Sequence, residues 1–525
     1  METVSSENLY DLIIVGAGPH GLAVLARLFE SRPSALYTDV ESSRLSFLRK
    51  YAKRPLESTD TLSDLKVLVI DKSGEQWMAQ WNKLFEAFEI KHLRSPLFFH
   101  PDPSDLDSLL AYTNAMNCTC DNLEISGVVG KEQSKHKLKK KCKGGRRHSL
   151  VTDFNERDRQ DYFNPSSKVF RAFCDSVVAR YSLQNMIKQD TVVDIDYVPI
   201  HERHVGPRSP HFALTLLCHS HKLYTKALVL APGMGGQPNL VPQLEHQPRL
   251  GAWCHSSDLL RTVFPPAHMT QGERSTMMVI GGGLTSAQIV DLAIKRGVSK
   301  VYMVMRSHMK VKHFDLDLGW LGKYGNILKM QFYQAKFEDR ANIVLSARNG
   351  GSITPRFAKI LRHHERLGRA FIMPQTTVTD ASWSGSSWRI ILRRRAANID
   401  KHETVILPKV DYIVAATGTR PAFSDLSFMQ TLRAKLSMDT SAGLPHLNED
   451  LQISEHLPLF VASGYAALQL GPGAFNLSGS REGAERIANR LETFFASEDE
   501  DTATVVKREH LAGNHCNYFS LLASA

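Results

Sequence analysis

Two glycine-rich turns, each directly after an apolar run, most constrain the fold of this chain. The first turn, residues 16–21, follows the run at 12–15, and the second, residues 281–286, follows the run at 277–280. In such a turn the first glycine allows a tight bend from a strand into a helix, the second lets a pyrophosphate approach the backbone, and the third small residue lets helix and strand pack closely. The two turns predict an α/β fold with two Rossmann-like dinucleotide-binding domains.

The residue that ends the next strand distinguishes the two sites. The predicted strand at 65–70 ends in Asp71, whose carboxylate suits a ribose hydroxyl pair. This acid usually follows the turn by about 20 residues, and a polar insertion at 31–64 accounts for the longer spacing here. The strand after the second turn, residues 301–305, ends in Arg306, and an arginine suits a 2′-phosphate. The first site is therefore predicted to bind FAD and the second NADPH, although an exposed charge at a strand end also explains Arg306.

Each of the two turns is predicted to supply a small set of cofactor-binding residues. The FAD ligands at the first turn are Gly16, Gly18, Gly21 and Asp71, and the NADPH ligands at the second are Gly281, Gly283, Ser286 and Arg306.

Each turn is followed much later by an apolar strand that ends in a second small-residue turn, at residues 231–233 and at 416–418. A last strand and a last helix, after residue 418, are predicted to complete the first domain. The NADPH domain is thus expected to be inserted in a discontinuous FAD domain. The predicted boundaries are 1–265 and 411–496 for the FAD-binding domain, with loop insertions at 31–64 and 118–150, 270–410 for the NADPH-binding domain and 497–525 for a C-terminal tail.

The composition of the chain indicates where in the cell the protein is located. The chain lacks a run of about 18 apolar residues, so no membrane span is expected, and too few residues precede the first strand for a signal peptide. Seven cysteines without a CxxC pair indicate reduced thiols and a cytoplasmic protein. Most of the net charge of +10 lies in residues 131–148, which suits a solvated basic loop or, alternatively, a segment that gives access to the nucleus. No nucleic-acid partner and no metal site are predicted.

The two turns, together with Thr417-Gly418, resemble those of the FAD- and NAD(P)H-dependent single-component flavoprotein monooxygenases. In layout the chain is most similar to the lysine and ornithine N-hydroxylating members, over most of residues 9–491. The resemblance implies that NADPH reduces FAD and that dioxygen is the co-substrate. It also implies that one oxygen atom passes from a peroxyflavin adduct to a soft nucleophile. The implied small-molecule substrate is an ornithine- or lysine-like amine, and the oligomeric state is left open.

The stretch at residues 77–103 is rich in aromatic, proline and histidine residues. In the resembled family it passes under the isoalloxazine ring, where an apolar wall excludes water. The resemblance assigns Trp81, His92 and Ser95 to FAD binding and makes His100 a candidate catalytic residue. The alternatives are that Trp77 and Trp81 form a helix packing face and that the histidines have structural hydrogen-bonding roles.

A third glycine-rich turn, residues 471–479, precedes the last helix. In the family this helix start directs its N–H groups at the pyrimidine end of the flavin. The resemblance therefore assigns Gly464, Gly473 and Asn476 to FAD binding and makes Asn476 the second catalytic candidate. Many relatives carry an aspartate after the last strand, where this chain has Gly464 followed by tyrosine, so the contact to the ribityl chain is in question.

Other flavoprotein functions fit the same motifs. The missing CxxC pair argues against a disulfide reductase. An NADPH–flavin oxidase or reductase stays open, as does a non-catalytic or weakly active regulator in which FAD is structural.

Overall fold

A computed structural model of the chain describes residues 5–30, 65–126, 128, 161–200, 209–233, 236–249, 251–270, 275–321, 325–395 and 402–495. The strands in this part of the chain are, in order, β1 (Leu9–Val15), β2 (Val67–Asp71), β3 (Leu123–Glu124), β4 (Phe163–Asn164), β5 (Ile187–Gln189), β6 (Val192–Ile200), β7 (Ser209–Leu216), β8 (Leu223–Leu230), β9 (Gln237–Pro238), β10 (Trp253–His255), β11 (Thr276–Ile280), β12 (Lys300–Val304), β13 (Ala370–Met373), β14 (Thr376–Trp383), β15 (Trp388–Arg395), β16 (His402–Ile406), β17 (Tyr412–Ala415), β18 (Thr419–Arg420), β19 (Thr440–Ser441), β20 (Leu444–Pro445), β21 (Gln452–Ser454) and β22 (Leu457–Val461). The α-helices are α1 (Pro19–Phe29), α2 (Ala79–Ala87), α3 (Ser108–Ala115), α4 (Ser167–Arg180), α5 (Pro242–Glu245), α6 (Leu284–Lys295), α7 (Gly325–Gln334), α8 (Phe337–Arg348), α9 (Pro355–Arg366), α10 (Gln430–Lys435), α11 (Ala467–Leu470) and α12 (Leu477–Phe495).

The chain divides into two compact units. Unit 1 contains residues 1–79, 91–232 and 447–525, and unit 2 contains residues 80–90 and 233–446. One unit is therefore inserted within a discontinuous other unit, which is the arrangement that the sequence predicts.

Unit 1 is built on an eight-stranded sheet in which β21, β22, β8, β1, β2 and β5 are neighbours in that order. Its central strands are parallel: β1 pairs with both β2 and β8, and β8 pairs with β22. Strands β6 and β7 add an antiparallel hairpin beside β8. The apolar run of β1 is buried on both faces, from Leu12 to Val15, as expected for a central parallel strand.

Unit 2 contains a five-stranded sheet in the order β10-β17-β11-β12-β13, with every pairing parallel. Helix α6 runs from the end of β11 back along this sheet, and its residues Ala287, Val290 and Ala293 lie in the same core as β11 and β12. A separate antiparallel sheet of β14, β15 and β16 completes the unit. This unit thus has the α/β architecture predicted for the second turn.

The structure moves two predicted boundaries. Residues 253–255 and 412–415, which the boundaries at 265 and 411 assign to the FAD domain, form β10 and β17 and lie in the unit 2 sheet. Strand β17 pairs with β11, because a Rossmann-like sheet needs a returning strand beside the phosphate-binding strand. Residues 80–90 also belong to unit 2, where Arg296 binds Glu89 at 3.0 Å.

Several other expectations concern parts of the chain outside these ranges. The insertion at 31–64, the basic segment at 131–148 and the tail at 497–525 lie outside the described residues. Within the ranges given above, no helix is both long and apolar enough to cross a membrane. The same ranges hold no cluster of three or more His, Cys, Asp or Glu side chains suited to a metal ion.

Candidate functional site

The first glycine turn requires glycine for two steric reasons. Gly16 has a φ of +114°, and a Cβ atom at this position would lie 2.2 Å from the carbonyl oxygen of Ala231. A Cβ at Gly21 would lie 2.1 Å from the carbonyl oxygen of Gly16. Without a Cβ atom at these positions, the end of β1 lies close to the residue after β8 and the start of α1 lies close to the turn. The backbone conformation of the turn is therefore set by close packing.

Gly18 differs from the other two glycines, because a Cβ there would meet no atom within 4 Å. It is the N-cap of α1, and no side chain caps the N–H groups at this helix start. Open space beside free backbone donors suits an anionic pyrophosphate. The turn thus fits the phosphate end of a dinucleotide.

Asp71 ends β2 beside this turn. Its carboxylate accepts hydrogen bonds from the backbone N–H of Ala17 at 2.8 Å and from that of Ser73 at 2.7 Å. These bonds fix the side chain next to the open space at Gly18 and leave further lone pairs for ribose hydroxyl donors. The acid is where the sequence places it, and the residues of unit 1 fit the adenosine end of FAD.

The aromatic stretch at 77–103 begins against the first turn, since the N–H of Met78 donates to the carbonyl oxygen of Ala17 at 2.8 Å. Trp77 precedes α2 and donates from Nε1 to the carbonyl oxygen of Leu183 at 3.0 Å. Trp81 lies within α2, in unit 2, and stacks on Phe85 with ring centroids 4.9 Å apart. The two tryptophans therefore have separate packing partners and do not form one helix face.

Backbone contacts fix the next predicted residues. His92 forms an isolated antiparallel bridge with Ser166, and Ser166 caps α4 by accepting from the N–H of Val169. The side-chain amide of Asn164 donates to the carbonyl oxygens of Arg94 at 2.9 Å and Ser95 at 3.3 Å. The backbone at His92 is thus held at the start of α4, and that at Ser95 is held by β4, both in unit 1.

His100 is completely buried. Its Nε2–H donates to the carbonyl oxygen of Leu106 at 2.9 Å, and the ring packs edge-on against Phe173. Burial, together with the positive charge of Arg481, holds the pKa of the imidazole well below its usual value near 6.5. The ring is therefore neutral at physiological pH and its Nδ1 carries a lone pair.

Asp102 forms a buried ionic cluster close to His100. Its carboxylate accepts from the Ser104 hydroxyl at 2.7 Å and from Arg180 at 2.7 Å. Hydrogen bonds from Ser104 and the charge of Arg180 outweigh burial and lower the pKa of Asp102. Arg481, one turn into α12, is 5% exposed, and burial lowers the pKa of its guanidinium to about 10. Sequence reasoning missed Arg481, because a single arginine in an amphipathic helix carries no signal of burial.

A pH dependence of stability follows from the burial of His100. Below about pH 6.5 the unfolded chain binds a proton at this position and the folded chain does not, so the free energy of unfolding falls as the pH falls. The loss is at most about 1.4 kcal/mol per pH unit. We expect His100→Gln to reduce this slope, measured by urea unfolding between about pH 7 and about pH 5.5. The exposed His246→Gln is the matched control, and an unchanged slope in His100→Gln would contradict the assignment.

The third glycine turn leads into α12. Gly464 is in a buried 3-10 turn, Ser463–Ala466, just after β22. A Cβ at Gly473 would lie 2.9 Å from the Ser478 hydroxyl oxygen. Asn476 directly precedes α12, and its carbonyl oxygen accepts from the N–H of Gly479 at 3.1 Å. The structure thus places the third turn at the start of the last helix, as predicted.

The second dinucleotide turn repeats the geometry of the first. Gly281 has a φ of +147°, and a Cβ there would lie 2.2 Å from the carbonyl oxygen of Ala416. Ser286 is completely buried, and its hydroxyl donates to the same oxygen at 3.4 Å. Serine therefore satisfies the requirement for a small third residue. Gly283 is the N-cap of α6 and has no side-chain cap.

A second glycine segment lies against this turn. A Cβ at Gly351 would lie 2.9 Å from the Cα of Gly283, so only glycine fits this approach. Lys310 holds the loop beside it, because its ammonium donates to the carbonyl oxygen of Asn349 at 2.7 Å. The sequence did not predict Gly351, because the residue that it contacts, Gly283, is distant in the sequence. Arg306, two residues beyond β12, is exposed, and no ion-pair partner is found for it among the described residues.

Comparison with known proteins finds a matching family model and solved structures of similar fold. The model of the L-lysine 6-monooxygenase/L-ornithine 5-monooxygenase family matches residues 160–421. The ornithine hydroxylase PvdA from Pseudomonas aeruginosa is 16% identical, with a TM-score of 0.59 over 93% of this chain and 100% of that chain. The L-lysine 6-monooxygenase from Pseudomonas syringae is also 16% identical, with a TM-score of 0.55 over 92% of this chain and 99% of that chain. No curated protein sequence gives a significant match.

One further similar structure is described with both cofactors and a substrate. The ornithine N-hydroxylase KtzI from Kutzneria sp. 744, described with reduced FAD, NADP⁺ and L-ornithine, is 14% identical with a TM-score of 0.59 over 93% of this chain and 100% of that chain. At these identities the structures establish the fold, which is that of two-domain flavin monooxygenases. The fold, the glycine turns and the family match agree with the resemblance to FAD- and NAD(P)H-dependent monooxygenases that the sequence indicates. The chain resembles the lysine and ornithine N-hydroxylating flavoprotein monooxygenases, whose family model matches just under half of it.

Proposed function

We propose that this protein is an NADPH-dependent, FAD-containing monooxygenase that hydroxylates the terminal amine of a small ornithine- or lysine-like substrate. The observation that carries the proposal is the pairing of two dinucleotide turns, one beside Asp71 and one followed by Arg306, in a chain that matches the lysine/ornithine monooxygenase family. An acid at the first site suits a ribose without a 2′-phosphate, and an arginine at the second suits a ribose with one. The two sites therefore take different cofactors.

Bound FAD, once reduced by NADPH, supplies the activation of dioxygen, so that one oxygen atom enters the amine as a hydroxylamine and the other leaves as water. The residues of the chain have the remaining tasks. Backbone N–H groups at the start of α1 bind the FAD pyrophosphate, and Asp71 holds the ribose. The start of α6 binds the NADPH pyrophosphate.

Asn476 and His100 are the two candidate catalytic residues. Asn476, at the start of α12, is suited to hydrogen bonding with the flavin or an oxygen species. His100 is buried and neutral, which allows it to accept a hydrogen bond through Nδ1 but makes it a poor proton donor at physiological pH. We therefore assign Asn476 the contact role and His100 the task of positioning the segment around Leu106, whose carbonyl oxygen it binds.

The test is product analysis with the purified full-length protein. L-ornithine, L-lysine and cadaverine are each supplied with NADPH and oxygen, and the product is measured as a hydroxylamine by mass spectrometry. We expect one hydroxylamine per NADPH oxidised for at least one amine. The matched control is the same compound with its terminal amine acetylated, or with both terminal amines acetylated for cadaverine, which should give no hydroxylamine. Oxidation of NADPH that yields only hydrogen peroxide would favour the oxidase alternative, and bound FAD without NADPH oxidation would favour a regulator.

A further inference from the structure

A pocket of about 350 Å³ lies in unit 2, beside the end of β12. Its volume falls at the lower end of the range of roughly 300–1,000 Å³ that is usual for small-molecule sites. Three of its eight lining residues are arginines: Arg306 comes from the segment after β12, and Arg393 and Arg395 come from β15. Neither Arg393 nor Arg395 was implicated by the glycine motifs.

The alternation of a strand explains which arginines face the pocket. Residues 393–395 are three consecutive arginines, and side chains two apart on a strand point to the same face. Arg393 is paired in register with Thr377 of β14, and Arg395 with His402 of β16. Thr377 and His402 also line the pocket, whereas Arg394 does not.

Backbone hydrogen bonds join the two arginine-bearing segments. The N–H of Gln375 donates to the carbonyl oxygen of Ser307 at 3.2 Å, and the N–H of Arg395 donates to the carbonyl oxygen of Gln375 at 3.0 Å. Ser307 is adjacent to Arg306. The three guanidinium groups are therefore carried on segments whose spacing is fixed by main-chain contacts.

Among the residues that the structure describes, no acid balances the charge in this pocket. Arg306, Arg393 and Arg395 are all exposed, and in the part of the chain that the structure describes no carboxylate forms an ion pair with any of them. Several like charges around one pocket repel one another unless an anion binds between them. Arginine forks match the geometry of a phosphate monoester. The ligand that this arrangement favours is a phosphate dianion.

We propose that Arg393 and Arg395 bind, together with Arg306, the 2′-phosphate of NADPH and thereby set the preference for NADPH over NADH. The inference rests on the proposed function only in taking the second turn as the NADPH site. In a Rossmann-like domain the residue after the second strand is the one that meets the 2′ position of the ribose. Arg306 lies in this region, two residues beyond the end of β12, and the pocket extends from it to β15. The antiparallel sheet of unit 2 thus contributes to cofactor selection.

The test measures binding without turnover. The full-length protein is titrated with 2′,5′-ADP, which carries the 2′-phosphate, and with 5′-ADP, which does not. We expect Arg393→Gln/Arg395→Gln to weaken binding of 2′,5′-ADP by about 10- to 100-fold and to change binding of 5′-ADP by less than about twofold. Arg394→Gln, on the opposite face of the same strand, is the matched control and should leave both affinities unchanged. Unaltered 2′,5′-ADP binding in the double variant, or an equal loss in Arg394→Gln, would overturn the inference.

A second measurement uses the unmodified chain and does not depend on how a variant folds. Phenylglyoxal modifies accessible arginines, and peptide mass spectrometry locates the modified positions. We expect 2′,5′-ADP to protect Arg393 and Arg395 but not Arg394, and equal protection of all three would contradict the geometry. Neither experiment requires an amine substrate. If the double variant loses 2′,5′-ADP binding but the unaltered protein forms no hydroxylamine, only the amine proposal is contradicted. If the unaltered protein forms a hydroxylamine but the double variant binds 2′,5′-ADP normally, only this inference is contradicted.

Discussion

Gly18→Ala is expected to weaken FAD binding while the protein itself remains stable. The backbone at Gly18 has a φ of −82°, which any residue adopts, and an added methyl group would meet no protein atom within 4 Å. The methyl group would instead occupy the space that we assign to the FAD pyrophosphate. Overpacking of this size costs about 1–3 kcal/mol, so the dissociation constant of FAD should rise by about 5- to 150-fold. The measurement is a fluorescence titration of flavin-free protein with FAD.

Gly16→Ala provides the contrast, because it perturbs the protein and not only the ligand. Here the methyl group would lie 2.2 Å from the carbonyl oxygen of Ala231, at a φ of +114°. We expect thermal unfolding of the flavin-free protein to shift strongly for Gly16→Ala. For Gly18→Ala the free energy of unfolding should change by less than about 0.5 kcal/mol. If Gly18→Ala binds FAD as tightly as the unaltered chain, the pyrophosphate does not lie at this turn.

Arg27→Ala is expected to destabilise unit 1 by about 3–5 kcal/mol. Arg27 is 2% exposed in α1 and forms two hydrogen bonds with Glu485 of α12, at 2.6 and 2.9 Å. It also binds Glu492 at 3.0 Å and the side chain of Asn489 at 2.9 Å. Removal of the guanidinium leaves the buried carboxylate of Glu485 without its partner. Urea unfolding, followed by the release of flavin fluorescence, measures the effect.

The double variant Arg27→Met/Glu485→Met tests the cause of that loss. Because both charges are then absent, most of the stability lost in Arg27→Ala should return, and the double variant should be more stable than either single methionine variant. A loss of less than about 1 kcal/mol in Arg27→Ala would show that water or another group solvates Glu485.

Helices α1 and α12 also show why the burial of a charged residue is hard to predict from the sequence. The apolar character of α1 is evident in the sequence, but Glu485 is 458 residues from Arg27 along the chain. A buried arginine cannot be distinguished from an exposed one by its neighbours in sequence, because the burial comes from the helix that packs against it. Arg481 was missed for the same reason.

The glycine turns by contrast were predictable, since their geometry depends on a few consecutive residues. Gly16, Gly18 and Gly21 lie in the turn that the sequence predicts, and Asp71 accepts from the N–H of Ala17 despite the long insertion between them. Ser286 is buried as a small third residue should be. Trp81 illustrates the opposite case, because helical spacing suggested a shared face with Trp77 and the structure gives each its own partner.

The sequence by itself determined that the chain contains two dinucleotide-binding units, one inserted in the other, because each turn needs only glycines, a preceding strand and a following helix. Only the tertiary structure decided that β10 and β17 belong to the inserted unit, because strand pairing joins residues far apart in the chain. It likewise placed Arg393 and Arg395 beside Arg306. The alternation of side chains along a strand reveals which residues share a face. The hydrogen bonds that bring Arg395 close to the segment after β12 form only when the sheets are assembled.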